Sequence, residues 1–107
     1  MTLALALLVL QAETDSLAAR VHQLADSYVV AYFEQHPDEA TQDGVAGIRH
    51  DRLPDNSPAG LARWREREDA WLEALKRINP KRIAGRPEWV AYGVMRDALE
   101  GAVVTRV

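Results

Sequence analysis

Apolar residues recur at helical spacing in three blocks, separated by stretches rich in proline, glycine and charge. In the first block Leu17, Val21, Leu24, Tyr28 and Tyr32 step by four, three, four and four, which traces one face of a helix. Asp15 or Ser16 can accept the free N–H groups at its start. Pro37 disfavours helical dihedrals at His36 and predicts the stop there. Pro37 can itself open a short turn of helix over residues 37–43, with Gly44 as a left-handed stop. Residues 45–56 hold Gly47, Asp51, Pro54, Asp55 and Asn56 without a sustained period and read as a long loop. Ser57-Pro58 is a helix start: a hydroxyl cap, then proline at the first helical position.

The second block lines Leu61, Trp64, Trp71, Leu72, Leu75 and Ile78 along one side, with Glu68 interrupting the seam. Arg63, Arg65, Glu66, Arg67, Glu68, Asp69 and Glu73 read mostly as its wet side, and Glu73–Arg77 is an i,i+4 pair of about 0.3 kcal/mol. Asn79-Pro80 ends it, and residues 81–86 form a basic connector. Pro87 opens the third block, with Glu88 near the positive end of the helix. Trp89, Tyr92, Leu99 and Val103 share a stripe that Met95, Ala98 and Ala102 widen, and no stop signal follows. The pattern therefore predicts an all-α fold: a small bundle of three main helices plus a short helix and a long loop. The width of the last stripe predicts burial on more than one side, as in an incomplete part of a larger helical protein.

Residues 1–12 stand apart because none carries a charged side chain. Leu3 to Leu10 is an unbroken run of Leu, Ala and Val, far short of the roughly 20 residues of a membrane span. Its length fits the apolar core of a secretory signal, with cleavage near Ala12, although no Lys or Arg precedes it. The alternative is an apolar start of the first helix, packed on the domain. Residues 13–107 form the helical region proper. A signal implies export to the periplasm or beyond; without one the chain is expected in the cytoplasm.

The 107 residues are one domain's worth, with 48% hydrophobic and 27% charged residues, a globular balance. A net charge of −3 gives no basic excess to neutralise a phosphate backbone, so nucleic acid is not an expected partner. Cysteine is absent, which excludes disulfides, thiolate zinc ligands and a thiol nucleophile.

Candidate chemistry is sparse. His22, His36 and His50 include no i,i+4 pair of the HExxH kind, so no metal site and no cofactor is expected in this chain. His36 is placed to interact with the last carbonyls of the first helix. Asp51 and Asp55 lie in a loop, where they can serve as an acid/base pair, but bonding of neighbouring N–H groups is the ordinary job of Asp beside a Pro-containing turn. Ser16, Ser27 and Ser57 lack a G-x-S-x-G frame. Asp51, Arg52, Asp55 and Ser57 are the candidate cleft or interaction loop. Trp64, Trp71 and Trp89 are the candidate interaction surface, since three short helices hide few such rings.

Three stretches taken in order carry a family resemblance. They are Leu24 to Phe33 running into His36-Pro-Asp-Glu-Ala-Thr41, then Asp51-Arg-Leu-Pro-Asp-Asn-Ser-Pro-Ala59, then Tyr92-Gly-Val-Met-Arg-Asp-Ala-Leu-Glu100. Together, over residues 17–107, they resemble the N-terminal region of the bacterial domain-of-unknown-function family 885 (DUF 885). The Asp-Arg-Leu-Pro-Asp-x-Ser-Pro run is the specific part. Relatives usually carry His where Ala46 stands, and often Asp in place of His50. The resemblance implies a longer, mainly helical, metallopeptidase-like protein whose HExxH helix lies later in the chain. Zinc belongs to that later part, and no zinc ligand or catalytic glutamate carries over to these residues.

The expected role is thus a structural, cleft-framing N-terminal part of such a protein, not catalytic by itself. Its partner is the remainder of that protein or a second copy of the chain, without a stable membrane span. The alternative is a stand-alone helical interaction or homodimerisation module.

Overall fold

The computed structural model describes residues 2–44, 46 and 54–106. Its elements are α1 (Thr2–Gln35), α2 (Pro37–Gln42), α3 (Pro58–Lys76), a 3₁₀ turn (Pro80–Ile83) and α4 (Pro87–Val104). The described residues are all-helical apart from turns and loop, as the apolar periodicity predicts. Three long helices form the bundle and α2 is the short one.

The boundaries follow local chemistry. Pro37, Pro58, Pro80 and Pro87 each occupy the first position of their element, where a missing N–H costs nothing. Ser57 Oγ accepts from Gly60 N at 3.1 Å, the expected cap of α3. Gly44 ends α2 region with φ 68°, a left-handed conformation that glycine adopts without a Cβ penalty. Asn79 Oδ1 accepts from Lys81 N at 3.1 Å and turns the expected basic connector into a 3₁₀ turn.

Two boundaries differ from the sequence expectation. α1 is continuous from Thr2, so neither Asp15 nor Ser16 begins a helix. Alanine and leucine are strong helix formers, and the uncharged segment extends the helical frame without a break. That segment does not pack on the domain: Leu3, Leu5, Leu7, Leu8, Val9 and Leu10 are all exposed. At the other end α4 does have a stop. Thr105 is its last cap, its N donating to Gly101 O and its Oγ1 to Gly101 O at 2.9 Å.

Cross-links fix the topology. Arg86 meets Asp15, and Arg82 meets Glu13, so α4 begins beside the early part of α1. Tyr28 and Tyr32 of α1 meet Trp64 of α3, so α1 and α3 run antiparallel. Arg106 reaches Arg65 and Glu68, so α4 returns antiparallel to α3 and parallel to α1. The core holds Ala18 and Val21 from α1, Leu72 and Leu75 from α3, Ile78 from the bend after it, Ile83 from the 3₁₀ turn, and Tyr92, Met95 and Leu99 from α4. Buried Tyr92 donates its hydroxyl to Leu75 O at 3.1 Å and accepts from Arg96 Nη1 at 2.7 Å, which satisfies the only polar atom its ring brings inside.

Candidate functional site

The described part of the candidate loop and the rings of Trp64 and Trp71 lie beside the C-terminal half of α1. Tyr28, Tyr32 and His36 recur every four residues and form a row along α1. Trp64 and Trp71 of α3 face this row. Tyr28 lies stacked on Trp64 at 6.5 Å between ring centroids and edge-on to Trp71 at 5.3 Å. His36 packs against Tyr32 at 4.5 Å and against Trp64 at 5.9 Å. The next helix starts on its backbone carbonyl, which accepts from Glu39 N and Ala40 N, and its side chain makes no cap hydrogen bond to that helix. Arg67 sits 4.9 Å over the Trp71 ring, a cation–π contact that shields the outer edge of the row.

Across from this wall α4 presents Ala98 and Ala102, one turn apart. Their small side chains leave an open groove of about 460 Å³ between the helices. Leu61, Arg65, Glu68, Thr105 and Arg106 complete its lining.

Glu68 is the residue that sequence reasoning misplaced. Read as a break in the apolar seam with a wet side chain, it is buried on the packed face at 6% exposure. Arg106 makes that possible. Its Nη2 donates to Glu68 Oε1 at 3.3 Å and to Arg65 O at 3.2 Å, while Nη1 pairs with Asp69 Oδ1 at 2.8 Å. A buried carboxylate requires such a partner. The two residues lie 38 positions apart, so no local pattern links them. Burial, and secondarily the Glu68 charge, raises the pKa of Tyr28. Burial and a hydrogen bond to Glu39 push the Tyr32 phenol well above the usual tyrosine range.

The tryptophans divide. Trp64 is buried at 7% exposure and Trp71 is half-buried, so neither offers a free surface; Trp89, at 50%, does. Leu72 and Leu99 are in the core. Beyond the N-terminal segment, the large apolar residues that remain open are Val29 and Val30 on α1, and Trp89, Val90, Val94 and Val104 on α4. A second groove of about 290 Å³, lined by Tyr28, Val29, Tyr32, Phe33 and Ala98, runs between these helices.

Asp51, Arg52 and His50 lie outside the described residues. Asp55 and Ser57 are described, and both are committed to the turn. Asp55 Oδ1 accepts from Ser57 N at 3.1 Å and from Ser57 Oγ at 2.6 Å, and Oδ2 pairs with Arg63 at 3.2 Å. Gln35 Nε2 donates to Asp55 O at 3.2 Å and ties the turn to the end of α1. The Asp55 carboxylate packs directly on the backbone of Gly60, where an added Cβ would lie 2.7 Å from Oδ1. A larger residue at that position must displace the Asp55 carboxylate, a constraint the sequence alone did not reveal. With its hydroxyl donating to Asp55 and accepting from Gly60, Ser57 is a structural cap in this geometry.

No three His, Asp or Glu side chains converge among the described residues as a metal site would require. His22 pairs with Asp26 at 3.1 Å on an exposed turn of α1, and His36 is packed among rings. The arrangement suits recognition or packing: an aromatic wall, a small-residue wall and a charge pair already closed on itself. Comparison with protein-family models, curated proteins and solved structures found no match.

Proposed function

We propose that the chain is a non-catalytic helical scaffold that packs against the remainder of a larger, exported, metallopeptidase-like protein and frames the edge of its substrate cleft. The observation that carries this reading is the open apolar surface of α1 and α4: Val29, Val30, Val90 and Val94 are 50–66% exposed, and Val29 lines a groove with Phe33 and Ala98. Exposed apolar surface beside a groove marks a site of association. The turn at Asp55 to Ser57, held by Arg63, Gln35 and Gly60, supplies the rigid edge. The family resemblance supplies the metallopeptidase class, and the uncharged run from Leu3 to Leu10 supplies export.

The same face favours a second reading, a module that pairs with its own copy. The genomic frame after the Val107 codon and a co-purification experiment separate the two. The scaffold reading expects an encoded HExxH-bearing helical segment that co-purifies with this chain, and expects Val90→Glu with Val94→Glu to abolish that association. A stable homodimer, disrupted by the same variants, with no such segment encoded nearby, would replace the scaffold by the module.

A further inference from the structure

The free end of α1 takes no part in the bundle. Leu3, Leu5, Leu7, Leu8, Val9 and Leu10 are 52–80% exposed. At 100° per residue, Leu3, Leu7 and Leu10 fall on one side of the helix and Leu5, Leu8 and Val9 on the other. The arm is thus apolar all round. One partner helix covers a single stripe and leaves the opposite one in water. A helix apolar on every side is satisfied by a surrounding apolar medium. From Leu3 to Ala12 the axial rise is about 14 Å. That matches one leaflet, half of a hydrocarbon core roughly 30 Å thick.

A second observation lies at the base of the arm. Between Leu75 and Pro87 the chain carries Lys76, Arg77, Lys81, Arg82 and Arg86 and no acidic residue. The fold brings this run back against α1 just where the arm leaves the bundle. Arg86 pairs with Asp15 at 2.6 Å and Arg82 with Glu13 at 3.6 Å. Arg82 and Arg20 share an open groove of about 610 Å³ with Val9, Ala12, Glu13, Ser16 and Leu17. The basic side chains Arg20, Lys76, Arg77, Lys81, Arg82 and Arg86 outnumber the carboxylates of Glu13, Asp15, Glu73 and Glu88, so this end is locally positive although the whole chain is at −3.

We propose that the intact chain binds anionic lipid bilayers, with residues 3–12 inserted into one leaflet and the collar of Lys81, Arg82, Arg86 and Arg20 at the headgroups. The arm enters without crossing: no helix of the described residues is long and apolar enough to cross a membrane. The inference goes beyond the scaffold reading, whose α1–α4 face lies on other residues. It concerns the chain with its arm intact, and cleavage near Ala12 would release the bundle from the lipid.

The test is flotation of the purified full chain with vesicles of phosphatidylcholine and phosphatidylglycerol, and with vesicles of phosphatidylcholine alone. Binding to both is expected, stronger on the anionic vesicles. Leu5→Asp with Leu8→Asp should lower binding to both by more than tenfold while leaving the thermal melt unchanged, because both side chains are about two-thirds exposed. Lys81→Gln and Arg82→Gln should each weaken binding to anionic vesicles by about fivefold and leave neutral vesicles unaffected. Equal flotation of the wild type and the double aspartate variant overturns the proposal, as does no flotation of either. So does a lipid-free dimer in sedimentation velocity that the aspartate variant abolishes while the wild type binds no vesicle; a second copy would then cover the arm.

Discussion

Arg106 holds the end of α4 onto α3 through a carboxylate that is otherwise out of place, and its removal is the sharpest probe of the bundle. Arg106→Met deletes the guanidinium and keeps much of the apolar stem. At 3.3 Å and an effective dielectric constant near 20, the Glu68–Arg106 attraction is about 5 kcal/mol before desolvation. Desolvating the two groups offsets a large part, since the Glu68 and Arg106 side chains are only 8% and 23% exposed. What the variant leaves behind is a buried carboxylate without its cation, and the net cost should be about 2–3 kcal/mol. For a domain of this size that is a fall of about 10–20 °C in Tm. Glu68→Met in the Arg106→Met background should recover most of the loss, because an apolar pair of similar volume carries no desolvation penalty. Urea unfolding of the wild type, both single variants and the double variant gives the coupling energy directly. Additive single effects, within about 0.5 kcal/mol, would refute the pairing argument.

The turn before α3 offers a graded pair: Ser57→Ala should cost about 1 kcal/mol through the lost cap. Gly60→Ala should cost about 1–3 kcal/mol by displacing the Asp55 carboxylate, both read by denaturant midpoints. Trp64→Ala should cost about 3–5 kcal/mol, and Trp89→Ala no more than about 0.5 kcal/mol, in the same assay. The raised phenol pKa values of Tyr28 and Tyr32 give an alkaline limb. Their stabilisation is complete below the ordinary tyrosine value near 10 and is lost as pH rises towards the higher folded values. The urea midpoint should therefore fall above about pH 10, and Tyr32→Phe should flatten that fall; an unchanged slope would show that Tyr32 does not drive it.

Much of the fold was legible along the chain because its causes are local. Proline at the first turn, serine at the cap, glycine after the short helix and apolar residues at steps of three and four act within a few positions. The face of Leu17, Val21, Leu24, Tyr28 and Tyr32 packs inward, with Val21 fully buried, and the Tyr92–Leu99 stripe likewise fills the core. The Asp55 turn, too, was readable from residue types at short spacing, and the exposed Glu73–Arg77 pair forms at 3.8 Å as spacing predicts.

What only the tertiary structure decided is set by distant residues meeting. Glu68 could be read as wet until Arg106 arrived from the end of α4, and Gly60 as incidental until Asp55 packed on it. The tryptophans look equivalent at helical spacing, yet Tyr28 and Tyr32 cover Trp64 while nothing comparable covers Trp89. The apolar arm forms helix on propensity alone, but only the length of the other helices determines that it projects past them. The charges split in the same way: the basic segment 81–86 reads as a connector until the fold sets its Arg82 and Arg86 beside Glu13 and Asp15 at the base of that arm. Sequence fixes what each residue prefers over a few neighbours; which preferences are satisfied depends on solvent exclusion and pairing across tens of residues, and those exist only in the packed chain.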